Sequence, residues 1–242
     1  VAATASARPT SAGGSTLRDA ALLALCAACL LAARAATPLA AGVFATGLVV
    51  LARTGRADRG GLLLAIVGAT AVAGMALPFV AERIGRVALL FGRDADFSGR
   101  TLVWEFSIGF LRATPWLGFG YGTFWNGGAG IVFWRWSGFP VPHAHNGWLQ
   151  LALDAGVVAT VLLAAAVAGT ARRAASLHRA GRPRGAAWVW GFLGLCLAMN
   201  LTESFLFVPN DPLTVVLVWT AVAVGLAARG DGGAAPRGAS GG

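Results

Sequence analysis

The sequence predicts an all-α integral membrane protein with about six transmembrane helices and one long periplasmic loop that contains short amphipathic helices. Of its 242 residues, 57% are hydrophobic and only 12% are charged, whereas a soluble domain carries about 25% charged residues. The charges are also unevenly spaced, because clusters of Arg separate long uncharged runs. This pattern is typical neither of a soluble enzyme nor of a segment that is disordered through low hydrophobicity.

Apolar runs mark the predicted spans, since a helix needs about 20 mostly apolar residues to cross a bilayer. The predicted spans are residues 17–33, 35–52, 60–81, 147–170, 186–207 and 212–228. Residues 1–16 are rich in Ala, Ser, Gly and Pro and are interpreted as a flexible linker. Residues 229–242 are of low complexity and are interpreted as a disordered cytoplasmic tail.

The distribution of Arg predicts the orientation of these spans. All 19 basic residues are Arg, and the formal net charge is +9. If both ends of the chain are cytoplasmic, twelve Arg lie on the cytoplasmic side of the membrane. The short loops on the opposite side then hold only Arg34. Arg in short loops faces the cytoplasm, so residues 82–146 are predicted to be periplasmic. A membrane location explains the Arg clusters better than nucleic-acid binding does, and no nucleic-acid partner is expected.

The predicted periplasmic loop is the one segment long enough to build a site. Between Arg100 and Arg112 the apolar residues follow i, i+3, i+4 spacing, which predicts an amphipathic helix at the membrane surface. Thr114-Pro115 ends it. Tryptophan marks the headgroup level of a bilayer, so the loop is expected to lie along the membrane surface. Five of the nine Trp follow Pro115, in the rest of this loop or just after it: Trp116, Trp125, Trp134, Trp136 and Trp148.

Polar residues cluster where the loop enters the fourth span. The sequence there reads Pro142-His143-Ala-His145-Asn146, and a neutral imidazole accepts a proton near neutral pH. His145 is predicted to head a tightly packed helical face that continues through Gly156 to Thr160. An alternative stays open, in which these residues only cap the span. Two His without a nearby Asp, Glu or Cys are a weak zinc signal, so no metal is predicted.

Several charged residues are further candidates. Arg100 has the shape for bidentate recognition of a diphosphate, while Arg83, Arg86, Arg93, Arg112 and Arg135 are weaker candidates. Asp154 and Glu203 lie within predicted spans, where an ionisable group is functional or structural, and Glu203 is expected to pair with a loop Arg. Gly118, Gly120 and Gly122 do not fit a nucleotide-binding loop. Cys26, Cys29 and Cys196 are interpreted as small buried hydrophobes.

Taken together and in this order, the motifs resemble the O-antigen ligase and O-antigen polymerase superfamily. The ligase signature is met by His145-Asn146, then nine residues, then Gly156. Ala159 replaces the commoner Gly or Thr, and Asp154 replaces the commoner Glu. Family members are longer, so this chain resembles their C-terminal half. The matching segments are Ser98-Gly99-Arg100 with Trp104, Thr114-Pro115-Trp-Leu-Gly118-Phe-Gly120-Tyr-Gly122-Thr-Phe124, His143-Ala-His145-Asn146 and Thr202-Glu203-Ser204.

The resemblance implies a metal-independent glycosyltransferase, without cofactors, at the outer face of the bacterial inner membrane. The donor would be a glycan on undecaprenyl diphosphate, and the acceptor a sugar or other hydroxyl in cell-surface polysaccharide or lipopolysaccharide. His145 would be the general base and Arg100 would hold the leaving diphosphate. Ligase and polymerase activity both stay open. The expected substrate-binding residues are Asn146, His143, Trp104, Arg112, Arg135 and Glu203.

Two other functions are weighed against this one. A non-catalytic flippase or carrier of glycolipids would usually place its charged site near the middle of the membrane, whereas here the polar cluster is at the outer edge. A metallohydrolase using His143 and His145 would lose its activity in the presence of a chelator. The position of the cluster favours chemistry at the membrane surface.

Overall fold

The computed structural model describes residues 12–33, 36–53, 59–90, 99–206, 208 and 211–232. Over these ranges the chain is helical and contains no strand, which confirms the predicted all-α class. The helices are α1 (Ala12–Ala32), α2 (Ala36–Arg53), α3 (Arg59–Leu90), α4 (Arg100–Leu111), α5 (Thr123–Asn126), α6 (Gly128–Ser137), α7 (Gly147–Arg179), α8 (Pro183–Met199) and α9 (Pro212–Gly232).

Among the described residues, three helical segments are long and apolar enough to cross a membrane by length and composition. These segments are Ala36–Arg53, Arg59–Ala81 and Gly147–Arg179. Three further apolar helices are shorter, namely Ala20–Ala32, Arg184–Met199 and Pro212–Ala227. Each of the six predicted spans therefore overlaps an apolar helix, although only three of these helices reach spanning length.

Some predicted boundaries differ from the observed ones. Residues 12–16, expected in the linker, begin α1, and residues 229–232 of the expected tail end α9. Helix α8 stops at Met199 instead of continuing to residue 207. It stops because the amide of Asn200 bonds to backbone groups in the turn that follows, in competition with the helix. Expectations for residues 1–11, 91–98 (with Arg93) and 233–242 lie outside the described residues.

Residues 1–40 and 41–242 form two separate compact units. In the first unit, Cys26 and Cys29 are exposed on α1, so the expectation that they are buried is wrong. Cys196, on α8 of the second unit, is buried as expected. An exposed apolar face on a helix is stable in a bilayer, because lipid tails are as apolar as the side chains.

Helices α3, α7, α8 and α9 pack around the main core of the second unit. Gly191 and Gly194 of α8 leave room for Leu48 and Val49 of α2 to approach closely, as small residues do between membrane helices. The buried side chains of this core include Leu63, Val67, Leu163, Val167, Trp190 and Leu193.

A second, aromatic core joins α4, α5 and α6 to the first part of α7. Trp104, Trp125 and Phe133 are fully buried in it. The Trp residues of the loop therefore divide into two groups. Trp116 and Trp136 are 69% and 65% exposed, whereas Trp125 and Trp148 pack inside the protein.

Helix α7 is broken at Gly156, which has φ 78° and ψ −179°. At this break two backbone N–H groups lose their partners within the helix. The N–H of Val157 donates instead to the carbonyl of Pro115 at 2.8 Å, and that of Val158 to the carbonyl of Trp116 at 3.4 Å. The loop after α4 therefore supplies the acceptors that the helix lacks, as burial of polar backbone requires.

The same loop also satisfies the carbonyls that the break leaves free. The N–H of Phe119 donates to the carbonyl of Leu153 at 2.7 Å, and the N–H of Gly120 donates to that of Asp154 at 3.0 Å. A Cβ at Gly118, which has φ 67°, would lie 2.5 Å from the Leu153 carbonyl oxygen. The alternating glycines therefore let the loop backbone lie directly against α7.

The break corrects the predicted helical face that runs from His145 through Gly156 to Thr160. His145 precedes α7, whose N-cap is Asn146, and Gly156 contacts the backbone at Trp116 rather than another helix. Gly156 was expected to let another helix pack closely. Instead it permits a positive φ and the close approach of the loop backbone.

The first part of α7 turns back across α3. Gly60 of α3 contacts Ala175 of α7, and Gly74 of α3 contacts Trp148. The two contact points are about 21 Å apart along α3 but would be about 40 Å apart along a straight α7, at 1.5 Å per residue. Residues 147–155 therefore cannot continue the axis of residues 157–179. The start of α7, with the preceding His turn, is folded against the side of α3.

We expect the substitution Gly156→Ala to lower the free energy of unfolding by about 2–4 kcal/mol. An added Cβ would collide with the Trp116 carbonyl and would also disfavour the positive φ. The measurement is thermal unfolding in detergent. Gly68→Ala is the control, because a Cβ on Gly68 has no atom within 4 Å and the helical backbone favours Ala. An unchanged melting temperature for Gly156→Ala would contradict the observed break.

Candidate active site

Four of the predicted site residues converge from three separate segments. The Arg100 guanidinium donates from Nη2 to Glu203 Oε1 at 2.9 Å. The other carboxylate oxygen of Glu203, Oε2, lies 3.4 Å from Nδ1 of His145. The rings of His143 and His145 are in contact, with centroids 4.2 Å apart. The side chains of Arg100, His145 and Glu203 are 23–29% exposed, so the cluster is half-buried but open to a ligand.

Arg100 is the first residue of α4 and follows Gly99, which has φ 82°. Its Nε is buried and has no hydrogen-bond partner within the described part of the chain. Only one edge of the guanidinium is therefore committed to Glu203. Buried donors are normally satisfied, so an unpaired donor here favours the binding of an anion.

Glu203 is held by a short turn between α8 and α9. Asn200 organises this turn, because its Oδ1 accepts from the N–H groups of Phe205 at 2.9 Å and Leu206 at 3.0 Å. Its Nδ2 donates back to the Cys196 carbonyl at 2.7 Å. The carboxylate is thus placed by a side chain that ends a helix, not by a continuing span.

The two histidines lie in a constrained turn before α7. His145 has φ 50°, the one positive φ found outside glycine in the described residues. The residue between the histidines, Ala144, is fully buried, and its carbonyl accepts from Trp104 Nε1 at 2.8 Å. A left-handed conformation costs a non-glycine residue about 1 kcal/mol or more, so surrounding contacts must hold this turn.

Asn146 joins the turn to α3 and to the Glu203 turn. Its Oδ1 caps α7 by accepting from the Leu149 N–H at 2.9 Å. Its Nδ2 donates to the carbonyls of Gly74 at 3.0 Å and Leu201 at 3.1 Å. The Gly74 carbonyl lacks a helical donor because Pro78, four residues later, has no N–H. Asn146 therefore completes the kinked part of α3.

The hydrogen bonds assign different roles to the two imidazoles. Nδ1 of His143 accepts from the backbone N–H of His145 at 3.2 Å, so a neutral His143 carries its proton on Nε2. Burial lowers the pKa of His143, and the nearby His145 and Arg100 lower it further against the opposing effect of Glu203. His143 is therefore neutral at physiological pH. Nδ1 of His145 faces a carboxylate, which leaves the lone pair on its Nε2 for a substrate.

The remaining predicted residues are not members of this cluster. Two are exposed, and two are buried beside it. Arg112 and Arg135 are exposed, and Arg112 is about 18 Å along the helix axis from Arg100. Trp104 and Asn146 have no exposed surface. Their contacts shape the His turn from within, and neither presents a surface to a ligand in this structure.

His143, His145 and Glu203 also form a group that could hold a metal ion. One donor atom from each lies within 4.8 Å of the others. The sequence did not indicate this set, because Glu203 is 58 residues from His145. The guanidinium of Arg100 on the same carboxylate opposes a bound cation.

Sequence reasoning missed two polar residues that build the site, Asn200 and Gln150. Both are buried, and both lie in otherwise apolar runs. A polar amide inside a predicted span is itself a signal, because burial without partners is costly. Neither residue belongs to a motif of catalytic residues, so sequence motifs do not indicate them.

We expect Asn146→Ala to destabilise the protein by about 3 kcal/mol, from the loss of a helix cap and of donors to two carbonyls. Thermal unfolding in detergent measures the effect. Asn126→Ala is the matched control, since its amide is exposed and donates to one carbonyl, and it should cost less than about 1 kcal/mol. Equal melting temperatures for the two variants would exclude a bridging role for Asn146.

Comparison with known proteins agrees with the sequence motifs. A model of the O-antigen ligase family matches residues 20–164, which is more than half of the chain. The exopolysaccharide production protein ExoQ of Rhizobium meliloti (strain 1021) is 27% identical over 147 residues. That match covers 57% of this chain and 34% of the relative, so the chain spans about a third of ExoQ.

No solved structure matches the chain. The family match includes Arg100, both histidines of the turn and Gly156, while Glu203 lies beyond its end. The resemblance that the motifs indicated is confirmed by this match. The chain therefore belongs to the O-antigen ligase family.

Proposed function

We propose that this chain carries the reaction centre of a glycosyltransferase that moves a glycan from undecaprenyl diphosphate to a hydroxyl acceptor. The observation that carries the proposal is the Arg100–Glu203–His145 cluster, in which one carboxylate contacts both a guanidinium and an imidazole. A transfer of this kind needs a base for the acceptor and a cation for the leaving diphosphate. The membership of the family and the name of its relative support a role in polysaccharide biosynthesis.

In the proposed reaction the acceptor hydroxyl attacks the anomeric carbon of the lipid-linked sugar. Nε2 of His145 takes the hydroxyl proton, and Glu203 stabilises the imidazolium that forms. The bond between the anomeric carbon and the diphosphate oxygen breaks, and its electron pair remains on the diphosphate. Arg100 stabilises the growing negative charge with the donors that Glu203 does not use.

The other predicted residues take supporting roles in this proposal. Trp104 and Asn146 position the His turn through their hydrogen bonds. His143 offers its Nε2–H to a substrate oxygen, because its Nδ1 is occupied by a backbone N–H. Arg112 and Arg135, both exposed, meet anionic groups of the glycan or lipid headgroups away from the reacting carbon.

We propose further that six helices cross the bacterial inner membrane and that residues 82–146 face the periplasm. The asymmetry of Arg in the short loops supports this orientation. The test is labelling of a single Cys at the partly exposed position Ser137, in a background without the native cysteines. A membrane-impermeant thiol reagent should label it in intact spheroplasts, and labelling only after lysis would overturn the orientation.

The decisive experiment uses the full-length protein in liposomes with a glycan on undecaprenyl diphosphate. We expect a new glycosidic bond and release of undecaprenyl diphosphate when a panel of hydroxyl acceptors is supplied. The acceptor that reacts distinguishes a ligase, which uses a core glycolipid, from a polymerase, which uses another lipid-linked chain. Movement of the lipid across the bilayer without bond formation would instead support a flippase or carrier.

A metal-dependent reaction is the second candidate, favoured by the donor atoms of His143, His145 and Glu203 within 4.8 Å. The adjacent Arg100 argues against it, since a guanidinium and a divalent cation would repel each other across the same carboxylate. The same assay decides between them. Transfer that is unchanged in EDTA supports the metal-independent reaction, and loss that Mg²⁺ or Zn²⁺ restores supports the metal.

A further inference from the structure

We propose that Gln150 is a positioning residue that sets the geometry of the His143–His145 turn, and this inference rests on the proposed role of His145 as the base. Gln150 is on the first part of α7, is 8% exposed and does not touch the cluster itself. Its effect on the reaction is transmitted through Ala144, the residue between the two histidines.

Both ends of the Gln150 amide form hydrogen bonds within the protein. Its Oε1 accepts from the backbone N–H of Ala144 at 2.9 Å and from Nε1 of Trp125 at 3.1 Å. Its Nε2 donates to Asp154 Oδ2 at 3.0 Å. The amide orientation follows from these partners, because the two fixed N–H donors require an oxygen and the carboxylate requires an N–H.

Gln is the one residue type that fits all three partners. Glu at this position would accept from Ala144 and Trp125 but would place a second carboxylate against Asp154. Leu has a similar size but would leave two buried N–H groups unpaired, which is costly. The residue type is therefore dictated by hydrogen bonding rather than by packing.

Ala144 is the point at which this network acts on the histidines. Gln150 holds its N–H, and Trp104 holds its carbonyl at 2.8 Å. The next residue, His145, has the unfavourable φ of 50°. Without the Gln150 contact the turn is free to relax towards negative φ, which would move the imidazole away from Glu203. A displacement of about 1 Å at a reacting group can cost about 10²-fold in rate.

The same network reaches the break in α7. Asp154, which accepts from Gln150, also accepts from the backbone N–H of Gly122 through Oδ1 at 3.1 Å. Gln150 thus ties the His turn to the glycine loop that completes α7. Two polar side chains are therefore stable in this apolar helix, because Gln150 donates a hydrogen bond to Asp154.

The test measures kcat and KM for lipid-linked donor with full-length protein, per folded molecule after size-exclusion chromatography. We expect Gln150→Leu to lower kcat by about 10–100-fold and to change the KM for the donor by less than about threefold, because Arg100 and Glu203 are untouched. Gln150→Glu keeps the acceptor for Ala144, and we expect it to recover most of the lost kcat.

Trp125→Phe is the matched control. It removes the other donor to the same Gln150 oxygen and keeps an aromatic ring in the core, but leaves the Ala144 contact in place. We expect a lower melting temperature with kcat within about threefold of the native protein. A purely structural network would instead give Trp125→Phe and Gln150→Leu the same loss of kcat.

Two outcomes would overturn the positioning role of Gln150. Measuring His145→Ala in the same assay distinguishes failure of this role from failure of the proposed function. If His145→Ala is inactive while Gln150→Leu keeps its native kcat, the positioning role is wrong and the proposed base remains. If His145→Ala is active, the proposed function itself fails. If Gln150→Leu does not fold, Gln150→Glu provides the test. A folded Gln150→Glu variant that loses as much kcat as His145→Ala would overturn the role assigned to the Ala144 contact.

Discussion

Replacing His145 by Ala should lower the rate of glycan transfer by about 10²–10⁴-fold, the usual contribution of a general base. The Nδ1 of this imidazole is directed at Glu203, which leaves Nε2 for the acceptor hydroxyl in the proposed reaction. Arg100 has no basic nitrogen, and both oxygens of Glu203 already have partners. The measurement is the initial rate of glycosidic bond formation in liposomes at saturating donor and acceptor.

A conservative variant separates proton transfer from loss of a contact. In His145→Gln the side-chain amide can still donate to Glu203, but it cannot accept a proton from the acceptor hydroxyl. We therefore expect it to be as slow as His145→Ala. A His145→Gln variant that retains more than about a tenth of the native rate would contradict general-base catalysis.

The neighbouring histidine supplies the matched control. His143→Asn keeps an oxygen that can accept from the backbone N–H of His145, which is the contact that His143 makes now. We expect a loss of less than about tenfold, because His143 is neutral and its basic nitrogen is already occupied. If His143→Asn were the slower variant, the roles of the two imidazoles would have to be exchanged.

The local parts of this site could be predicted from the sequence. The amphipathic spacing gave a helix over 100–112, and α4 spans Arg100–Leu111. The His-Asn pair before a long apolar run predicted a capped helix, and Asn146 does cap α7. These features are determined by residues within a few positions of one another, so composition and periodicity are sufficient to indicate them.

The sequence suggested that Glu203 contacts an Arg of the loop, but it did not indicate which Arg. Glu203 was expected to pair with some loop Arg, and 103 residues separate it from the Arg it contacts. Its placement depends on Asn200 ending α8 before the predicted end of that span. Side-chain bonds that stop a helix within an apolar run leave no periodic signal, because hydropathy there is the same whether the helix continues or not.

The break in α7 was hidden for a different reason. Gly156 follows four residues after Ala152, and this spacing is equally typical of a packed helical face. Only the loop at 115–120, which supplies hydrogen bonds to both sides of the break, distinguishes the two cases. The choice is therefore made by a tertiary contact, which local sequence patterns do not encode.

Arg100→Ala is the second substitution with a large expected effect, a loss of about 10²–10³-fold in rate. Among the described residues Arg100 is the cation that contacts Glu203, and its side chain is 23% exposed beside that carboxylate. Without it the leaving diphosphate must depart without a positive charge beside it. Arg100→Lys keeps the charge but loses the planar guanidinium that can bind an anion through two donors. We therefore expect a rate between those of the native protein and Arg100→Ala.

Arg112 provides the control for charge on the same helix. It is exposed at the far end of α4, about 18 Å from Arg100 along the helix axis. Arg112→Ala removes an equal charge, and we expect it to change the rate by less than about threefold, since exposed charges at this distance are screened by salt. A similar loss in both variants would mean that net charge, rather than the contact at Arg100, governs the rate.

The loss in Arg100→Ala has two physical causes that a double variant separates. One is the missing charge at the diphosphate, and the other is a half-buried Glu203 carboxylate left without its cation. Glu203→Gln removes the stranded charge, so Arg100→Ala combined with Glu203→Gln should remain as slow as Arg100→Ala if the diphosphate is the main partner. Recovery of the rate in the double variant would show that Arg100 acts only by neutralising Glu203, and would remove it from the reaction itself.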